Sequence, residues 1–221
     1  LSKTGIGGNW GTFTNNKKIT KCDLTGVTDW GRTPTLPDAA FSNCTALQEV
    51  TLPDDVRVIG SSAFFGCAAL TTVNLSQVTW INLNAFYECT SLEMLILDNV
   101  TEIGREVFYG CTSLKTLKIP KCTQFGNYIV TGCKALTRIE ATATGDFLDI
   151  IGNSSIENYA VFHNRDTHSG ENAFAPARCD LVLNTDKQED GTAVPKVSGN
   201  NRWTLAANAS PMMWKNITFR Q

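Results

Sequence analysis

The sequence has little net charge and no long apolar run, and each shortage excludes a class of function. Its 19 Lys and Arg residues nearly balance 21 Asp and Glu residues, for a net charge of −2. This balance provides no broad positive field for a nucleic-acid backbone. No uninterrupted apolar stretch approaches the ~20 residues that a membrane-spanning helix needs. We therefore expect neither a nucleic-acid partner nor a transmembrane segment in this chain.

Motifs for catalysis and metal binding are also missing. There is no P-loop, nucleophile elbow or Gly-rich dinucleotide fingerprint, and the eight cysteines form no CxxC pairs with histidines at zinc-finger spacing. The two histidines, His163 and His168, flank Asp166 in a polar stretch. A metal-dependent hydrolase built on this stretch is an alternative, but zinc sites usually need three or four ligands on a rigid support. We interpret the stretch as a solvated loop and expect no enzyme, cofactor or metal site.

Five of the eight cysteines mark an internal repeat. They are separated by 23, 22, 22 and 22 residues: Cys44, Cys67, Cys89, Cys111 and Cys133. Each is followed three residues later by a leucine: Leu47, Leu70, Leu92, Leu114 and Leu136. Four are preceded three residues earlier by a phenylalanine: Phe41, Phe64, Phe86 and Phe108. The unit is roughly L-x-L-(P)-x-x-V-x-x-I-G-x-x-A-F-x-x-C-x-x-L-x-x, and copies in one phase indicate a repeat protein.

A single copy of this unit is too small to fold alone. The alternation in Leu117-Lys118-Ile119 predicts a short strand with alternate side chains inward. One unit buries about seven apolar side chains, worth roughly 10–20 kcal/mol, and ordering its ~22 residues costs at least as much. Stacking of neighbouring copies, with their strands paired along the array, must supply the remaining stability.

The Ala-Phe-x-x-Cys-x-x-Leu signature, found over residues 36–141, resembles the BspA-like leucine-rich repeats of bacterial surface proteins. The resemblance implies an α/β-type repeat solenoid. This is a right-handed superhelix with short parallel strands on one face, irregular or short helical returns on the other, and a cap at each end. It also implies export or surface anchoring and adhesion to proteins or other cells, with no catalytic residues to carry over.

The repeat phase divides the chain into four segments. Residues 1–35 are predicted to form an N-terminal cap and a degenerate first repeat, with a strand in Lys18–Leu24, and residues 36–144 five leucine-rich repeats. The phase is lost over residues 145–170, which we interpret as an insertion in the last repeat, and residues 171–221 are predicted to form a C-terminal repeat and cap. Because the chain begins at Leu1, we expect an export signal or lipid anchor to have been removed from it.

The regularly spaced cysteines are predicted to form a column inside the coil. Neighbouring Cα atoms in such a column lie ~5 Å apart, which is within disulfide range. A buried free cysteine also packs well as a small hydrophobe, and five residues cannot pair completely. We favour free, buried thiols, even in an exported protein.

The outward strand positions differ most in the third copy, where Met94 and Ile96 place apolar side chains at a solvent-facing site. Lys115, Lys118 and Arg138 follow in the next copies. An apolar centre flanked by positive charge is typical of a protein-binding patch. The alternative is that Met94 and Ile96 are isolated surface hydrophobes or are covered by a cap.

Trp80 also stands at a position that varies between copies, so we expect it to be exposed and to be a contact residue. The sequence thus favours a non-enzymatic, monomeric module at the cell surface or outside the cell, which binds an extracellular protein or glycan. A structural spacer within a larger surface protein is the alternative.

Overall fold

The computed structural model describes residues 13–27, 34–142, 179–184 and 216–220. Those residues contain short β-strands and no helix. The strands are β1 (Lys21–Asp23), β2 (Thr35–Leu36), β3 (Glu49–Thr51), β4 (Val58–Ile59), β5 (Thr72–Val73), β6 (Trp80–Ile81), β7 (Met94–Ile96), β8 (Glu102–Ile103), β9 (Thr116–Ile119), β10 (Gln124–Phe125), β11 (Arg138–Thr142), β12 (Asp180–Asn184) and β13 (Asn216–Arg220).

The strands form a β-solenoid with a front face and a back sheet. The back sheet has the order β10-β8-β6-β4-β2, and the front face consists of one sheet in the order β1-β3-β5 and another in the order β13-β12-β11-β9-β7. Every pair is parallel, and most pairs join equivalent residues of adjacent repeats, as in Val50 opposite Val73. The parallel-strand repeat architecture expected from the sequence is confirmed.

The helical alternative expected for the return segments is not confirmed. Short helical returns are not found in the described residues, where each return is a two-residue back strand followed by turns. Two positions in nearly every repeat have φ between 54° and 77°, which a right-handed helix cannot contain. They are Ala39, Ser62, Asn84, Glu106 and Tyr128 at the first position, and Asn43, Gly66, Glu88, Gly110 and Gly132 at the second.

A stack of phenylalanines fills the interior. Phe41, Phe64, Phe86 and Phe108 are each 0% exposed, and neighbouring ring centroids lie 5.5, 5.1 and 6.0 Å apart. Phe13 extends the stack, with its centroid 5.1 Å from that of Phe41. Each ring thus covers the face of its neighbour, and the core is continuous along the array.

The cysteine column consists of free, buried thiols, as expected. Each Sγ donates a hydrogen bond to the carbonyl oxygen of the phenylalanine one repeat earlier, for example Cys67 to Phe41 at 3.0 Å. The Phe41 carbonyl also accepts the main-chain N–H of Cys44, at 3.0 Å. A carbonyl oxygen has two lone pairs, so the thiol satisfies the second one inside an apolar core. A small apolar side chain with one weak donor fits this place, which explains why cysteine recurs there.

Strands extend the front face at both ends of the array. β1 lies within the predicted Lys18–Leu24 strand and pairs with β3. β12 and β13 continue the front face beyond β11. The proposed insertion at 145–170 lies outside the described residues. Within the part of the chain that the structure describes, no helix is long and apolar enough to cross a membrane.

Candidate functional site at a break in the front face

β7 presents two large apolar side chains to solvent. Met94 is 59% exposed and Ile96 is 48% exposed, whereas Leu95 between them points inward and is 4% exposed. The alternation follows from the strand, in which successive side chains point to opposite faces. Met94 and Ile96 are therefore neighbours on one outward surface.

The main-chain ladder of the front face is interrupted directly beside these residues. We call the passage from one front strand to the next a step. At every step from β1 to β11 except that from β5 to β7, one carbonyl accepts the main-chain N–H groups of two residues in the next repeat. These carbonyls belong to Thr20, Gln48, Glu93 and Lys115. At the step from β5 to β7 the equivalent acceptor is Thr71 and the donors are Glu93 and Met94, and no such bond is found among the described residues. β5 and β7 accordingly belong to different sheets.

The back of the solenoid is continuous across the same step. Trp80 of β6 lies opposite Val58 of β4 and Glu102 of β8 in parallel register. The turn segments are joined as well, since the Phe64 N–H donates to the Ala85 carbonyl at 2.8 Å. The copies on either side of the break are therefore held together at the back and in the turns, and separate only at the front.

The separation leaves a cleft of about 530 Å³ between β5 and β7. Its lining includes Val73, Leu75 and Leu95 with Thr71, Thr72 and Met94. Val73 is only partly buried, whereas the equivalent residues of the neighbouring copies, Val50 and Leu95, are 1% and 4% exposed. Solvent thus reaches an inward strand position at this step.

The side chain of Asn74 ends the pairing of β5 with β3, on the edge of β5 opposite the break. Its side-chain amide donates to the Leu52 carbonyl at 2.9 Å, and its Oδ1 accepts the Leu52 N–H at 2.5 Å. These contacts hold the end of β5 against the β3 side, because the Asn side chain bonds main-chain groups that a strand ladder would otherwise use.

The basic residues expected to flank the apolar pair are all ion-paired. Lys115 Nζ lies 2.8 Å from Glu93 Oε2, and Lys118 Nζ lies 3.1 Å from Asp98 Oδ1. Arg138 Nε donates to Glu140 Oε1 at 2.6 Å. The predicted positive flank is thus compensated locally, and such exposed pairs contribute little to stability.

Trp80 is exposed as expected, at 39%, but it lies in the back sheet and not on the front face with Met94. Leu83, in the turn that follows β6, is 44% exposed, so this copy carries a second large exposed apolar side chain outside the front strands. Sequence reasoning missed Leu83. A comparison of copies could have found it, because the same position holds polar residues elsewhere: Asp38, Ser61, Arg105 and Asn127.

The interior thiols are poorly suited to chemistry. Burial raises the pKa of Cys67 and of Cys111 to about 12, and raises the pKa of Cys89 well above its usual value. A protonated buried thiol is a poor nucleophile and a poor metal ligand. Across the described ranges, no group of three or more His, Cys, Asp or Glu side chains is placed to hold a metal ion. His163 and His168 lie outside those ranges.

A family model for the BspA type leucine-rich repeat region matches residues 11–137 in six copies. The chain belongs to this family. No curated protein matches the chain.

Solved structures that this chain matches include bacterial leucine-rich repeat proteins. The leucine-rich repeat protein of T. pallidum is 29% identical with a TM-score of 0.52, over 55% of this chain and 58% of that one. A leucine-rich cell surface protein of Faecalibacterium prausnitzii is 25% identical with a TM-score of 0.39, over 56% of this chain and 43% of that one. This BspA-type chain thus spans about half the length of the solved proteins that it matches.

Proposed function

We propose that this BspA-type chain is a non-enzymatic module at the cell surface or outside the cell, which binds a protein through its front face. The observation that carries the proposal is the exposure of Met94 and Ile96 on one surface of β7. Large apolar side chains that lie together on an outward surface are typically buried by protein partners. Lys115, Lys118 and Arg138 form the polar rim of the same face, with their charges paired in the free protein.

A protein partner is favoured over a glycan by the packing of the outer aromatic side chains. Phe65, Tyr87 and Tyr109 stack with centroids 4.8 and 4.5 Å apart and planes within 9° of parallel. The stacking covers both faces of Tyr87 and one face each of Phe65 and Tyr109, which reduces the aromatic surface that a sugar could stack on. A glycan is the second ligand class, and Trp80 on the back sheet is the observation that favours it.

The extracellular location and the monomeric state are parts of the same proposal. The resemblance of the repeats to those of bacterial surface proteins supports the location. The alternative is a spacer role within a larger surface protein. In that case, substitutions at Met94 and Ile96 should have no effect on function.

The test measures binding of the purified chain to a panel of secreted and surface proteins and glycans, by biolayer interferometry. The front-face variant is Met94→Asp with Ile96→Asp. The matched control is Trp80→Asp with Leu83→Asp, which introduces the same charges at two large exposed apolar side chains outside the front strands.

We expect at least one protein to bind, and the front-face variant to weaken it by about 30-fold, the effect of losing a hot spot of about 2 kcal/mol. The control variant should bind as the wild type does. Binding that only the control variant weakens would move the site to the surface around Trp80 and Leu83. A chain that binds no member of the panel would favour the spacer.

A further inference from the structure

The cleft between β5 and β7 has two strand edges as its walls. Among the described residues, the Thr71 carbonyl lacks the pair of donors that Gln48, Glu93 and Lys115 receive, and the Glu93 and Met94 N–H groups lack the matching acceptor. The equivalent groups of the neighbouring copies form the main-chain ladder of the front face. Free strand edges of this kind are templates for pairing with another extended chain.

The floor and the charge of the cleft also match an extended peptide. Val73, Leu75 and Leu95 provide apolar contacts inside, and Met94 stands at the rim. Glu93 is the one charged residue of the lining in the described part of the chain, and Lys115 neutralises it at 2.8 Å. An uncharged, partly apolar segment therefore meets no unpaired charge when it enters.

The dimensions set the length of the occupant. β5 has two residues and β7 has three. At about 3.3 Å per residue, the walls pair with roughly three or four residues of an extended segment. The cleft volume of about 530 Å³ is within the usual range for ligand sites, roughly 300–1,000 Å³.

We infer that an extended, largely uncharged peptide segment of the protein partner inserts between β5 and β7 as an added strand and joins the two front sheets. The inference rests on the proposed function and specifies its mode of recognition. Main-chain hydrogen bonds to both walls provide affinity, and the apolar floor selects the side chains that point inward.

The experiment uses a probe taken from the chain itself. Residues 114–119, which contain β9, pair in parallel with β7 on one side and with β11 on the other. Both edges of this segment are therefore compatible with strands of the front face. The probe is this segment with glutamine in place of both lysines, the fluorescein-labelled peptide Leu-Gln-Thr-Leu-Gln-Ile with blocked ends, so that it is uncharged. Its binding to the full chain is measured by fluorescence anisotropy. The control peptide carries methyl groups on the main-chain nitrogens of its Thr116 and Lys118 equivalents, so that one edge cannot donate.

Two protein variants locate the site. Met94→Pro removes an N–H that makes no main-chain bond to the described residues across the cleft, and Met94→Ala removes the same side chain but keeps that N–H. Proline is tolerated in a strand where its nitrogen faces away from the ladder. Thr116→Pro is the structural control, since the Thr116 N–H donates to the Glu93 carbonyl, and we expect it to lower the Tm.

We expect the probe to bind, with the affinity lowered about tenfold or more by methylation of the peptide and by Met94→Pro relative to Met94→Ala. The Glu93 and Met94 amides should gain protection from hydrogen exchange when the probe is added, a readout that needs no variant. A probe that does not bind at about 1 mM, or binding that is insensitive to methylation, overturns the inference. Sedimentation that shows a dimer dissociated by the probe assigns the cleft to a second copy and also overturns it. In either case, the proposed function still holds if the Met94→Asp with Ile96→Asp variant binds the protein partner more weakly than the wild type does.

Discussion

The Sγ atom of Cys111 donates a hydrogen bond to the carbonyl oxygen of Phe86, 3.2 Å away in the preceding repeat. The same carbonyl accepts the N–H of Cys89, also at 3.2 Å. Each such thiol therefore joins two copies of the repeat, and its chemistry depends on the stacking.

The thiols should be unreactive in the folded chain. Cys67, Cys89, Cys111 and Cys133 are each 0% exposed, and burial holds their pKa values high. With iodoacetamide at pH 7.5, we expect these four to be labelled only after unfolding. Intact mass after denaturation without reductant should show eight alkylated cysteines. A lower number would reveal disulfides and contradict the free column.

The buried thiols should also make stability depend on alkaline pH. An unfolded thiol loses its proton near its ordinary pKa of 9.0, whereas burial raises the pKa of Cys111 to about 12 in the folded chain. The folded state thus binds more protons between these two values. The free energy of unfolding is then unchanged below pH 9 and falls as the pH rises from 9 towards 12.

Cys111→Ala isolates this contribution. At pH 10, one such thiol lowers the unfolding free energy by about 1.4 kcal/mol relative to pH 7, because the unfolded thiol is ionised and the folded one is not. Urea titrations should show that the loss of unfolding free energy between pH 7 and pH 10 is smaller in the variant by about 1.4 kcal/mol. An equal loss in both chains would show that Cys111 titrates alike in the two states.

At the turn positions with positive φ, substitutions in two neighbouring copies should change stability in opposite directions. Gly110 has φ of 70°, and a Cβ there would lie 3.0 Å from Glu88 Cγ. We expect Gly110→Ala to destabilise the chain by about 1–2 kcal/mol, since an L residue is strained in this conformation. Glu88, at φ of 54°, occupies the equivalent place, and Glu88→Gly should raise stability by up to about 1 kcal/mol.

Gly26→Ala is the matched control for these variants. A Cβ at Gly26 meets nothing within 4 Å, and its φ lies outside the left-handed region. Chemical denaturation should place this variant within about 0.5 kcal/mol of the wild type. If Gly26→Ala and Gly110→Ala were equally destabilising, the strain at position 110 would not be the cause.

The repeat phase could predict the front strands and their inward residues, because apolar alternation and a 22-residue period act on every copy. It could not predict the back strands, because two residues are too few to show an alternation. It also could not predict the positive φ values at Ser62 and Glu106, since the residues at this position share no chemical property. It also could not predict the break at β5, because Cys67 and Cys89 keep the ordinary spacing of 22 residues. The break accompanies the side-chain contacts of Asn74, which only the structure reveals.

The central claim is that the front face is open between β5 and β7 in the free chain. Amide hydrogen exchange followed by NMR tests it directly, because paired amides exchange slowly and free ones quickly. We predict fast exchange for Glu93 and Met94 and slow exchange for Lys115 and Thr116, whose N–H groups donate to the Glu93 carbonyl. Equal protection of all four amides would contradict the account.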